Sequence, residues 1–195
     1  MTPSRRNVAI VREDVLSDDW TRLSNYMIDY TDGHGETRLV KREIYHRTPA
    51  GCILLHDCDR DVVVLVRQFR LAAKLVGMDG WMIEVPAGLL DGEEPEAAVR
   101  REVLEETGYR VGEIRFLFRI MMSPGAVTET TDCYFASIRA ADRVAAGGGL
   151  DEEHEDIEVL EIPLDTALAM IGTGEICDGK TIMLLQWAAL NRASF

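Results

Sequence analysis

The run Arg101-Glu102-Val103-Leu104-Glu105-Glu106-Thr107-Gly108 crowds three carboxylates into a few consecutive positions. On a helix, with about 100° between successive residues, Glu102, Glu105 and Glu106 fall within an arc of about 100°, while Ala97, Val103 and Leu104 are expected to occupy the other, core-facing side. Like charges four residues apart cost a helix about 0.2–0.5 kcal/mol, and acids in its last turn meet the unfavourable end of its dipole. Folding alone does not favour such a grouping. Hard divalent cations prefer several oxygen ligands and repay carboxylate crowding, so the chemistry implied is that of Mg²⁺, with Mn²⁺ as a substitute. The competing reading is a solvated helix face on which Arg101 pairs with Glu105, the ordinary role of a charged run taken by itself.

Turn and cap signals show which elements must hold these carboxylates. Pro95 suits a first helical turn, where its missing N–H would have no intrahelical acceptor, and Gly108 suits the left-handed residue just past a helix end. A helix is therefore expected from about Pro95 to Glu106. After Trp81 to Val85, Pro86-Ala87-Gly88 reads as a turn into a Gly- and Glu-rich loop. Cys52 to Leu55 and Val62 to Arg67 read as a hairpin across Asp57-Cys58-Asp59-Arg60, and further strands are expected near Gly112 to Met121, Thr131 to Ser137 and Glu158 to Ile162. From Asn7 to about Arg47, β-prone segments surround the polar turn Thr31 to Glu36, giving a small antiparallel sheet. Ala145 to Gly149 is a loop by composition, and helices are expected around Leu164 to Gly172 and Lys180 to Arg192.

The chain of 195 residues is long enough for one ordinary domain with a small appendage, and 47% hydrophobic with 28% charged residues is the composition of a globular protein. A net charge of −13, with the acids spread along the chain, argues against a duplex nucleic acid as partner. A small phosphorylated substrate is compatible with it, because a metal held by carboxylates reverses the local field. Cys52, Cys58, Cys133 and Cys177 form no CxxC pair and read as reduced thiols; His34, His46, His56 and His154 show no triad or zinc spacing. With no signal segment and no apolar stretch of membrane-spanning length, cytoplasmic residence without a membrane partner is the expectation.

Pro86 to Glu93 followed by Arg101 to Tyr109 resembles the Nudix box, G-x5-E-x7-R-E-U-x-E-E-x-G-U, where U is aliphatic or aromatic. Seven residues separate Glu93 from Arg101, as the pattern requires, but only four separate it from Gly88. Glu94 would restore the distance to Gly88 and spoil that to Arg101. Outside the box, Lys41-Arg42-Glu43, Arg67-Gln68-Phe69-Arg70, Met122 to Gly125, Val127-Thr128-Glu129, Gly147 to Gly149, Glu155 to Val159 and Thr173 to Thr181 resemble the bacterial GDP-mannose and ADP-ribose pyrophosphatases of the Nudix hydrolase superfamily.

The resemblance implies an α+β fold, the α/β/α sandwich of Nudix proteins, with a small N-terminal antiparallel β-sheet. Residues 1–47 would form that dimerising N-terminal region and 48–195 the hydrolase domain. It implies Glu102, Glu106, Glu155 and the Ala87 carbonyl as metal ligands, with Glu105, Glu106 and Glu155 in catalytic roles. Substrate would meet Trp20 as a stacking partner and Lys41, Arg42, Glu43, Arg70, Ala87, Gly88, Leu89, Glu129 and Lys180. The expected reaction is Mg²⁺-dependent hydrolysis of a nucleoside diphosphate sugar by a homodimer, with the metal binding the diphosphate and lowering the pKa of the attacking water. GDP-mannose is the leading substrate. The alternatives are a broad ADP-ribose pyrophosphatase, which the box does not distinguish, and a noncatalytic nucleotide-sugar sensor, against which the intact Glu102, Glu105 and Glu106 argue.

Overall fold

The computed structural model describes residues 6–150, 152 and 155–194; Arg5, Asp151, Glu153 and His154 lie outside them. The chain divides into two compact units, one comprising residues up to Thr48 with Ser123–Glu129, the other Pro49–Met122 with Thr130 onward.

The first unit is a three-stranded antiparallel sheet, β1 (Asn7–Asp18), β2 (Arg22–Thr31) and β3 (Thr37–Tyr45), in that order. The β2–β3 turn is closed by Asp32, whose carboxylate accepts the N–H groups of His34 and Glu36 at 2.8 and 3.1 Å. Strand β1 forms the edge, is irregular at Ile10/Arg12 and Val15/Ser17, and exposes Val8, Ile10, Val11 and Val15. The Ser123–Glu129 segment joins this unit through Tyr45, whose N–H donates to the Ala126 carbonyl at 2.8 Å.

The second unit is built on a seven-stranded sheet of order β10-β5-β4-β9-β8, with β6 beside β5 and β7 beside β4. Its strands are β4 (Ala50–Asp57), β5 (Val62–Phe69), β6 (Trp81–Glu84), β7 (Ala87–Leu89), β8 (Arg115–Ile120), β9 (Thr131–Ser137) and β10 (Glu158–Pro163). Among the described strands of this sheet, only the β4–β9 pairing is parallel. The helices are α1 (Leu71–Leu75), α2 (Pro95–Thr107), α3 (Leu164–Thr173) and α4 (Gly179–Asn191). Successive strand side chains point to opposite faces, so the near-continuous apolar runs of β4 and β5 feed two cores at once. Leu54 and Leu65 pack with Leu164, Leu184 and Leu185 of α3 and α4, whereas Ile53, Leu55 and Val64 pack with Val99 and Val103 of α2. Helices on both faces of a mixed sheet make this the α/β/α sandwich that the sequence resemblance implied.

Two local expectations are corrected, and one element was not expected. Ala87–Leu89 is not a turn but strand β7, with Cys52 opposite Ala87 and Ala50 opposite Leu89. The short helix α1 follows β5 with no buried residue to mark it in the sequence. On α2, Ala97 and Leu104 are exposed, and the buried side carries Ala98, Val99, Val103 and Glu106. The acid arc and the core side overlap because Val99, Val103 and Glu106 lie within about 60° of one another at helical pitch.

Candidate active site

Glu106 sits at the C-terminal end of α2 with only 2% of its surface exposed, and accepts the Ala87 N–H at 3.2 Å. Burial, and then the charges of Glu102 and Glu155, push its carboxyl well above the usual range; the Ala87 N–H and Arg70 pull the other way without cancelling this. Glu102 is raised too, chiefly by burial. Ala87, whose carbonyl the resemblance implied as a ligand, also meets the cluster through its N–H.

Two features of the backbone let the carboxylates approach one another. Gly88 faces Glu102 so closely that a Cβ there would lie 2.1 Å from the carboxyl carbon and oxygen, so the absence of a side chain at 88 leaves the space the carboxylate occupies. At the other end, α2 stops at Gly108 in left-handed geometry (φ 74°), and the glycine loop folds onto its last turn. The N–H groups of Gly148 and Gly149 donate to the carbonyls of Glu106 and Glu105 at 2.9 and 3.1 Å. That closure brings Glu155 back toward the helix, where its Oε2 accepts the Leu150 N–H at 3.2 Å.

Arg101 organises the remaining acids of the box. Its guanidinium lies 2.8 Å from Glu105, 3.0 Å from Glu102 and 3.4 Å from Glu93. The Arg101–Glu105 pair of the competing solvated-face reading is present, so the Glu105 carboxylate has a cationic partner within the box. The contact with Glu93 also answers the irregular spacing of the box: of the two candidate glutamates, the one at the right distance from Arg101 meets it.

The donor set fits a hard divalent cation. Glu102, Glu106 and Glu155 act on one another electrostatically, Glu106 is held away from water, and opposing charge from Arg70 does not neutralise them. Among the described residues, no three acidic, histidine or cysteine side chains stand close enough together to hold a metal ion by themselves, so the case for a cation rests on the electrostatic crowding of these carboxylates. A cation would complete what the protein leaves as crowded negative charge.

Beside this cluster stands a second, balanced group of charges. Arg70 donates through Nε and Nη2 to Glu84 Oε2 at 3.1 and 2.6 Å, and Lys180 lies 3.4 Å from Glu84 and 3.0 Å from Asp178. Burial works against both cations, but the two carboxylates outweigh it and hold Arg70 and Lys180 above their ordinary pKa values. Sequence reasoning found both cations and missed both acids. Glu84 lies in a short strand and Asp178 before a helix, where a single acid carries no periodic signal.

In the first unit, Trp20 is 74% exposed and the guanidinium of Arg47 lies 4.4 Å from its ring centroid. Arg47 also donates to Glu129 at 3.3 Å, so two residues singled out from the sequence share one that was not. Lys41, Arg42 and Glu43 run along β3 with exposed side chains. Gly88 and Leu89 lie on β7.

Comparison with known proteins agrees with this geometry. The NUDIX domain matches residues 45–184, and the N-terminal domain of the GDP-mannose pyrophosphatase NudK matches residues 7–45. A GDP-mannose pyrophosphatase of Citrobacter koseri is 48% identical over 183 residues, covering 93% of this chain and 95% of its own. That of Escherichia coli O1:K1 is 46% identical over 187 residues, with 95% and 97% covered. A solved ADP compounds hydrolase shares the fold at a TM-score of 0.71 and 18% identity, covering 95% of this chain and 96% of its own. With the Nudix domain spanning most of its length and its box glutamates gathered at the end of one helix, the chain belongs to the Nudix family.

Proposed function

We propose that this protein hydrolyses the diphosphate of a nucleoside diphosphate sugar, GDP-mannose foremost, to GMP and mannose 1-phosphate. The observation that carries this reading is 48% identity along more than nine-tenths of both chains to a protein named for that reaction, with every glutamate of the box's metal-binding half in place. Glu102, Glu106 and Glu155, with the Ala87 carbonyl, would hold Mg²⁺. When bound, that ion supplies charge neutralisation on the diphosphate and a water acidic enough to attack near neutral pH.

The chain's own residues do the rest. Glu106, buried and already basic for a carboxylate, would hold the metal while accepting the Ala87 N–H of β7. Glu155, half-buried on its loop, would bind the metal or polarise the attacking water. Lys180 and Arg70 meet phosphate oxygens. Because Arg70 has two of its donors on Glu84, it offers phosphate its remaining N–H groups rather than its whole fork. Trp20 supplies an exposed ring for base stacking, and Lys41, Arg42, Glu43 and Glu129 supply polar contacts to the nucleotide sugar. The protein acts as a homodimer joined through the N-terminal sheet, in the cytoplasm, where its four thiols stay free.

The test is a panel of GDP-mannose, GDP-glucose, ADP-ribose and dinucleotides, with kcat/KM measured and products identified in ¹⁸O-water. GDP-mannose is expected to lead, with label in one phosphate product only. Preference for ADP-ribose would move the assignment to the broader pyrophosphatases. A nucleotide sugar that binds in Mg²⁺ and is never cut would make the protein a sensor.

A further inference from the structure

Glu84 divides one buried carboxylate between two cations from distant parts of the chain. Its Oε2 accepts from Arg70 at 2.6 and 3.1 Å and from Gln68 at 3.4 Å, and its Oε1 faces Lys180 Nζ at 3.4 Å. Arg70 directly follows β5, whereas Lys180 lies in the first turn of α4. Asp178, the residue before that helix, lies 3.0 Å from Lys180 through one oxygen. Its other oxygen accepts the Thr181 N–H at 2.9 Å and the Thr181 hydroxyl at 2.6 Å. Thr181 in turn accepts the N–H of Val85, the neighbour of Glu84, at 2.8 Å. The chain of contacts therefore closes on itself: Glu84, Lys180, Asp178, Thr181, Val85.

Such a ring is not explained by stability. Desolvating two acids and two bases roughly offsets their mutual attraction, and an apolar cluster of the same volume would hold a fold as well. The arrangement does something an apolar cluster cannot, which is to fix two positive charges before a ligand arrives. Cations that must meet a diphosphate lose less on binding when their side chains are already ordered.

We propose that Glu84 is a positioning residue for substrate binding, one carboxylate that sets Arg70 and Lys180 at a fixed separation as a ready-made pair of phosphate donors. The inference rests on the reading above, in which both cations meet the diphosphate. Glu84 itself touches neither substrate nor metal; it acts through its two partners, and Asp178 and Thr181 lock the second of them to the strand that carries the first carboxylate.

The test is Glu84→Gln, which keeps the shape and one acceptor but removes the charge. KM for GDP-mannose is expected to rise about 10–100-fold while kcat stays within about 3-fold, with the half-saturating Mg²⁺ concentration unchanged. A general loosening of the fold would instead lower kcat and shift the Mg²⁺ requirement as well. In a Lys180→Met background, Glu84→Gln should add less than it does alone, because the part of its effect that runs through Lys180 is already lost while the part through Arg70 remains. Losses that multiply, or a wild-type KM in Glu84→Gln, overturn the role. Should the single variant not fold, Glu84→Asp, which keeps the charge but draws it back from both cations, should show the same rise in KM, and a wild-type KM there overturns the role. A wild-type protein that cleaves no nucleotide sugar would instead overturn the function beneath it.

Discussion

Glu106 brings two unfavourable conditions together, a charge withdrawn from water and like charges nearby, and a bound cation relieves both. On the proposed function, replacing it with Gln is expected to leave the fold intact and lower kcat by at least about 10²-fold, because a metal ligand and its charge would be lost together. Thermal melts with and without Mg²⁺ separate this from mere surface decoration. Mg²⁺ at about 100 times its Kd stabilises a binding-competent state by about 2.7 kcal/mol, a Tm rise of about 5–10 °C for a chain of this size. Wild type should show that rise and Glu106→Gln should lose most of it; equal rises would remove Glu106 from the metal site. The carboxylates themselves were legible in the sequence because three acids on one helical arc are costly without a reason. Glu84, Asp178 and Arg47 were not, since each is a lone charged residue whose meaning comes only from partners brought by other elements.

Helix α2 is tied to the sheet beyond its own end. Tyr109, just past the cap, is buried and donates its hydroxyl to Glu161 of β10 at 2.8 Å. Burial, then Glu161, pushes the Tyr109 hydroxyl up to about 12, while Tyr109 and then Arg60 hold Glu161 below its ordinary value. The signs follow from which form the fold prefers. The Glu161 contribution is full above the ordinary carboxylate pKa and fades as pH falls through the depressed one. The Tyr109 contribution is full below pH 10 and fades as pH rises toward about 12. Tyr109→Phe should therefore cost about 1.5 kcal/mol near neutrality, the low end for a hydrogen bond to a charged group, and progressively less at both extremes. Denaturant titrations of the two proteins across pH check this; a pH-independent difference would mean that ring packing, not the hydrogen bond, is at stake. Elements were readable where two signals agreed, as with Pro95 and Gly108 bounding α2. They were misread where an edge strand as short as β7 hid behind turn residues, because its three residues are defined by pairing with β4 and not by any pattern of their own.

At the scale of the whole molecule, the sandwich was legible through the family resemblance, and its physical reason is that the long apolar runs of β4 and β5 need cover on both faces, which the helices provide. The boundary of the first unit was less so. Ser123–Glu129 belongs with the N-terminal sheet through backbone bonds to Tyr45, a pairing that separation in sequence conceals. The apolar edge of β1 gives the proposed homodimer its test. Ile10→Asp places a charge on a 70% exposed strand position, so an isolated monomer should tolerate it, whereas burial in a subunit contact would make it raise the dimer dissociation constant by at least about 10²-fold. Sedimentation at micromolar concentration distinguishes the two; an unchanged association state would place the interface elsewhere.

The glycine loop that seals the end of α2 is also the segment that returns Glu155 to it. Assembly of the third carboxylate is thereby made conditional on correct completion of the first two. A molecule whose last helical turn has frayed loses Glu106 and the tether for Glu155 in the same event, so partly unfolded copies should be inert rather than sluggish or indiscriminate toward other anhydrides.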